Sequence, residues 1–254
     1  MKKKDLIKPW DINAEQRHQQ LLSGKDISFS KILVPNVLEL LRKVSSHKTL
    51  RVLDIGCGTG VLAKEIAKNV REVIGIDPSQ KSIEIASIYN KEVDNVIFEC
   101  ASIEEFAIKH KSVVEIAIAN MTLHSIKDIS AALDSIYFCL KPNGVFIFSI
   151  PHPCFYLEHK GSFKELDYQY NRPSSYKIAF TISNIQTPLP SPTPFFHRPL
   201  QDYFNSVTYA GFIIDKILEP FPTKKIMALY PSKKEWRYPH FLIVRCSKVT
   251  NLDI

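Results

Sequence analysis

Between residues 48 and 150 the chain alternates short apolar runs with stretches of helical periodicity. Leu50–Ile55, Glu72–Ile76, Asn95–Glu99, Val113–Ala119 and Gly144–Ile150 are nearly continuous in apolar residues, the pattern of strands buried on both faces of a parallel sheet. Helices are expected at 60–69, 79–90 and 127–140, the first carrying Val61, Leu62, Ile66 and Val70 at helical spacing. Strand-helix-strand alternation over about 100 residues requires right-handed crossovers. It therefore predicts an α/β fold with a doubly wound, mostly parallel sheet.

The flanks complete this frame. Residues 13–23 and 30–44 read as helices, and Val34, Val37, Leu38 and Leu41 form an apolar face, so 1–47 is expected to be a helical cover. The main domain is expected over 48–254. Eight of the sixteen prolines fall within 151–200, which rules out long helices there and predicts an irregular lid insertion. Tyr176–Ile185 is its strand candidate, and Tyr156, Tyr168, Tyr170 and Tyr176 would shape an apolar small-molecule pocket. Order resumes with a helix near Leu200–Ala210 and strands at Phe212–Glu219 and Phe241–Cys246.

Glycine sharpens the picture. The chain has only eight, yet Gly56, Gly58 and Gly60 fall within five positions, directly after the first strand. Glycines there let the backbone approach a ligand that a Cβ would block. A dinucleotide loop has its third glycine at offset five, which here is Val61. Asp54 also places a carboxylate just before the loop, where it would repel a diphosphate and suit a cation. Asp77, seventeen residues beyond Gly60 and at the end of the second strand, is placed to hold a ribose diol.

Val52-Leu53-Asp54-Ile55-Gly56-Cys57-Gly58-Thr59-Gly60 with Asp77 resembles the nucleotide-binding signature of class I S-adenosylmethionine-dependent methyltransferases. The resemblance is strong over 48–150 and looser over 200–246. It implies a seven-stranded Rossmann-like sheet and S-adenosylmethionine as the cofactor. Asp54 with the backbone around Gly56 and Gly58 would hold the methionyl part and Asp77 the ribose, with Cys57, Gly60 and Pro78 also in the cofactor-binding set. Ser102 and Ile103 after the third strand would meet adenine, although Ala101 or Ser102 stands where the family commonly has Asp. Asn120 after the fourth strand would line the pocket.

The acceptor is less constrained. Asn120-Met121-Thr122-Leu123 differs from the Asn/Asp-Pro-Pro-Tyr/Phe sequence of many base-modifying relatives, and the strand ends lack the acidic cluster of a magnesium-dependent enzyme, so no metal is expected. His152, in Pro151-His152-Pro153-Cys154-Phe155, and His197, in Phe195-Phe196-His197-Arg198-Pro199, are the candidate catalytic bases, since a neutral imidazole suits that role. The alternative for each is bracing the insertion through backbone hydrogen bonds. His124, Phe155, Tyr156, Phe196 and Arg198 are the expected substrate contacts.

Composition excludes several other roles. The net charge of +7 is partly a Lys2-Lys3-Lys4 tail and is otherwise dispersed, without the basic run interleaved with aromatics that nucleic acid favours. No stretch is long and apolar enough to span a membrane, and the charged N-terminus is not a secretory signal. Five scattered cysteines without paired spacing read as reduced thiols of a cytoplasmic protein. The sequence thus predicts methyl transfer to an O, N or C nucleophile of a small molecule, with nucleic acid not expected as a partner and the oligomeric state left open. An RNA or tRNA methyltransferase and a non-catalytic cofactor-binding partner protein are the alternatives.

Overall fold

A computed structural model describes residues 3–44, 49–156, 168–179, 182, 188–230 and 236–249. The chain begins with helix α1 (Lys3–Leu22). A π-helical turn at Ser28–Leu33 runs directly into α2 (Val34–Arg42). The alternating core follows as β1 (Arg51–Ile55), α3 (Val61–Ala67), β2 (Glu72–Asp77), α4 (Gln80–Tyr89), β3 (Val96–Cys100), α5 (Ile103–Lys109), β4 (Val114–Asn120), α6 (Ile129–Cys139) and β5 (Leu140–Pro151). The insertion contributes β6 (Ser174–Ile178) and β7 (Thr193–His197), and the chain ends with α7 (Leu200–Tyr209), β8 (Phe212–Leu218), α8 (Lys224–Leu229) and β9 (Phe241–Lys248).

The main sheet has seven strands in the order β3-β2-β1-β4-β5-β9-β8. The first five are parallel, and β9 runs antiparallel to both its neighbours. Strand order reverses direction between β1 and β4, so a crevice opens at their carboxyl ends. Continuous apolar runs still obey the period of two. Phe146 and Phe148 of β5 face one core with Phe106, Leu133, Ile136 and Val207, whereas Val145 and Ile147 face the other with Val37, Leu41, Leu62 and Ile66.

The expected core strands all form, with ends shifted by a few residues. α1 starts ten residues earlier than the expected helix at 13–23 and carries Pro9 inside it. α5 and α8 were not expected. α5 is nonetheless announced locally: Ser102 accepts from Glu105 N and Glu105 reaches back to Ser102 N, a capping box. The predicted strand at 176–185 is shorter, pairing as β6 with β7. Residues 180–181 and 183–185 of it lie outside the described residues, as do 1–2 and 45–47 of the cover and 157–167 and 186–187 of the insertion.

α1 crosses the carboxyl edge of the sheet and is fastened at several points. Asp11 accepts hydrogen bonds from the Ser79 hydroxyl (2.7 Å) and Lys81 N (3.3 Å) at the start of α4. His18 Nδ1 meets the Thr59 hydroxyl at 3.0 Å, so the cover is bonded to the glycine loop itself. Asn13 pairs with the backbone of Ser191, donating to its carbonyl at 2.7 Å and accepting from its N–H at 2.9 Å. One helix thereby ties the glycine loop to the insertion. Among the described residues no helix is long and apolar enough to cross a membrane.

Candidate active site

The loop after β1 is shaped by close packing. Gly56 and Cys57 both donate to the Ile76 carbonyl, at 2.8 and 3.0 Å, folding the loop back over β2. At Gly56, φ is +66° and a Cβ would lie 2.5 Å from the Thr122 side chain, so only glycine fits between β1 and the turn after β4. A Cβ on Gly58 would instead meet nothing within 4 Å. That open space belongs to a cavity of about 600 Å³ at the switch point.

One end of the cavity is acidic. Asp77 receives Gly58 N at 3.0 Å on one oxygen and Ser79 N at 2.8 Å on the other. Asp54 is buried, and its Oδ2 has no hydrogen-bond partner among the described residues. Burial, with Asp77 close by, pushes the Asp54 carboxyl up to about 7. Burial likewise pushes Asp77 up to about 6, against the pull of its two backbone donors. Two carboxylates that ionise reluctantly, one with an unpartnered oxygen, fit a cationic ligand supplying the missing charge and donor.

Asp54, Gly56, Cys57, Gly58, Asp77, Pro78, Ser102, Ile103 and Asn120 all line this cavity. Ser102 does so as the N-cap of α5. Asn120 accepts from the Ser149 hydroxyl at 2.7 Å, while Met121, at φ +56°, donates its N–H to the same side chain at 2.9 Å. The non-glycine left-handed residue at the cavity wall is strain held in place by that network. Gly60 departs from expectation: it does not line the cavity. It precedes α3 with φ +73°, packed where a Cβ would strike Asn90 and Phe98.

The other end is aromatic. Tyr156 and Phe195 stack at 6.0 Å with 12° between planes, and Trp10, Phe29, Ile178, Ile182 and Leu189 add apolar wall. His124 and Tyr156, two of the expected substrate contacts, line this end. Phe155, Phe196 and Arg198 are not among the lining residues. Phe155 stacks on Tyr238 at 5.1 Å, and Arg198 grips the carbonyls of Ile126 and Lys127 at 2.6 and 2.8 Å, with its guanidinium 5.6 Å from the Phe196 ring.

Neither candidate base lines the cavity. His152 is buried and engages Glu219 at 2.7 Å through Nε2, while its Nδ1 takes Cys154 N at 3.3 Å. His197 meets the Tyr170 carbonyl at 2.8 Å. Burial lowers the pKa of both, so each is a neutral imidazole bracing the insertion. In their place the fold brings two groups that sequence reasoning did not single out. Arg17 of α1 and Asp26 pair at 2.7 Å on the cavity wall, with Asp26 also accepting Phe29 N at 2.9 Å. Nothing in the local sequence marks that pair.

The fold is a doubly wound α/β architecture of the class I S-adenosylmethionine-dependent methyltransferase type, with a cavity at its switch point. A family model described as a methyltransferase domain matches residues 9–185, and the chain belongs to that family. The chain is 35% identical over 110 residues to a ubiquinone biosynthesis O-methyltransferase of Bradyrhizobium diazoefficiens, covering 43% of each. It spans about half the length of the curated relatives it matches. Its fold matches an S-adenosylmethionine-dependent methyltransferase from Mesorhizobium loti, with TM-score 0.61, 21% identity and coverage of 82% of this chain and 96% of that one. It also matches the 1,6-didemethyltoxoflavin N1-methyltransferase of Burkholderia thailandensis, with TM-score 0.60, 14% identity and coverage of 94% and 88%.

Proposed function

We propose that the protein transfers the methyl group of S-adenosylmethionine to a small-molecule acceptor. The observation that carries this reading is one cavity joining the acidic glycine-loop end to the aromatic end, with α1 and the insertion laid over both. Asp54 and the loop backbone at Gly56–Gly58 would hold the methionyl part, Asp77 the ribose, and Ser102 with Ile103 the adenine. The bound cofactor supplies an electrophilic methyl group on a sulfonium. The protein's task is then to orient the acceptor and exclude water. Asn13, by clamping α1 to Ser191, keeps the cover down over the acceptor end.

In this reading residues 1–47 form the cover of a 48–254 methyltransferase domain whose lid is 151–200. The enclosure favours a small acceptor over RNA, because a polynucleotide could reach the cavity only after α1 and the insertion part. The curated O-methyltransferase relatives point the same way. Five free cysteines, three of them buried, suit a cytoplasmic setting. Calorimetry with S-adenosylhomocysteine tests the premise: wild-type protein should bind and Asp77→Ala should bind much more weakly. Equal affinities would count against the assignment, and salt-sensitive binding of tRNA at low ionic strength would favour the RNA reading instead.

A further inference from the structure

The aromatic end of the cavity contains a polar group that the cofactor assignment does not use. His124 sits on the turn Leu123–Ser125 directly after β4, and its ring lies 5.4 Å from Phe195, which stacks in turn on Tyr156. Its Nδ1 is sealed in protein without a hydrogen-bond partner among the described residues. Because His124 lines the cavity, Nε2 is the nitrogen left to face it.

The surroundings decide which nitrogen carries the proton. Arg198 lies behind the turn, with Nη2 on the carbonyls of Ile126 and Lys127 and Nη1 buried without a partner. The Arg198 charge acts on the His124 ring, so a buried lone pair on Nδ1 is favoured over an N–H that has no acceptor there. The proton therefore belongs on Nε2. Burial, reinforced by Arg198, pulls the His124 pKa down to about 3, so the ring stays neutral and donates without taking a proton.

We propose that His124 Nε2–H donates a hydrogen bond to an oxyanion on a planar conjugated acceptor, a phenolate or enolate stacked along the Phe195–Tyr156 wall. This rests on the methyl-transfer reading above and names the acceptor class for it. The acceptor enters already ionised, having lost its proton to water. Its oxygen electron pair forms the new O–C bond as the C–S bond breaks and returns its pair to sulfur. No protein group has to remove a proton. A neutral imidazole that donates to an oxyanion is a recognised device in other enzymes.

The test uses 4-nitrophenol, whose phenolate is visible by absorbance, added to protein saturated with S-adenosylhomocysteine. The wild-type complex should bind the phenolate in preference to the phenol, lowering the apparent pKa of the bound probe. His124→Leu should weaken phenolate binding tenfold or more, about the worth of a hydrogen bond to a charged group. His124→Gln, whose amide keeps a donor near the Nε2 position, should stay within about threefold. Phenolate binding unchanged in His124→Leu, preference for the protonated probe, or no binding to the wild-type complex would each overturn the proposal. Calorimetry with S-adenosylhomocysteine separates the two levels: failure of the wild type to bind it sinks the methyl-transfer reading, whereas intact binding with any of those outcomes sinks only the role of His124. If His124→Leu does not fold, His124→Asn replaces it, because its amide stops short of the Nε2 position. It should weaken phenolate binding to the same extent, and unchanged binding in it would equally overturn the proposal.

Discussion

The acidic end of the cavity makes ligand affinity depend on pH in a calculable direction. In the free protein Asp54 holds its proton up to about pH 7, because burial and Asp77 oppose its charge. A ligand ammonium beside it reverses that preference, so below pH 7 binding must expel a proton. If the carboxyl ionises fully in the complex, S-adenosylhomocysteine should bind about 100-fold more weakly at pH 5 than at pH 8, a loss of about 2.7 kcal/mol. The sign for folding is the opposite. A carboxyl whose folded pKa is raised stabilises the folded state only at acid pH, so the free protein should lose this contribution as pH rises from about 4 to about 7. Added ligand should offset that loss. The assay is calorimetric titration with S-adenosylhomocysteine at pH 5 to 8, repeated in two buffers of different ionisation enthalpy to count released protons. Asp54→Asn should flatten the dependence. An affinity constant over this range, or one that improves toward pH 5 without proton release, would refute the reasoning.

Other perturbations probe the remaining parts of the site. Gly56→Ala combines a left-handed φ with a Cβ 2.5 Å from Thr122, and chemical denaturation should show a loss above about 1–2 kcal/mol, the strain of the φ alone. Asn13→Ala removes two hydrogen bonds between α1 and Ser191, and should speed amide exchange in α1 and raise the acceptor's KM more than it lowers kcat. His152→Gln and His197→Gln should lower the melting temperature yet leave the methyl-transfer rate within about threefold; a thousandfold loss in either would return that histidine to the chemistry. Phe106→Ala empties a fully buried core site and should cost about 3–5 kcal/mol by denaturant unfolding.

The elements legible from the chain are those whose cause is local. The central strands announce themselves because burial on both faces leaves little room for polar residues, and β1 to β5 form where the apolar runs lie, although the edge strand β3 is half-exposed. The glycine loop, Asp54 and Asp77 were legible because a backbone turn and a strand end fix their places within about 25 residues of one another. α1 was read only in part. Its Pro9 breaks the helical pattern, and its weakly segregated faces reflect a helix that covers a cavity lined by mixed chemistry.

What only the tertiary structure decided is where distant side chains find their partners. His152 and His197 look like bases when read beside their neighbours, yet Glu219 and the Tyr170 carbonyl hold them outside the cavity. Gly60 stands in the same motif as Gly56 and Gly58, but the packing of Asn90 and Phe98 gives it a structural position. The bond from His18 to Thr59 and the packing of His124 against Phe195, with the Arg198 charge acting on it, join segments far apart in the chain, and even the short-range Arg17–Asp26 pair spans the break after α1. Periodicity and local turn chemistry set the sheet and the glycine loop. The aromatic end of the cavity is set by side chains converging from the start of the chain, the β4 turn and the insertion, because desolvation and charge act through space and leave no local pattern in the sequence.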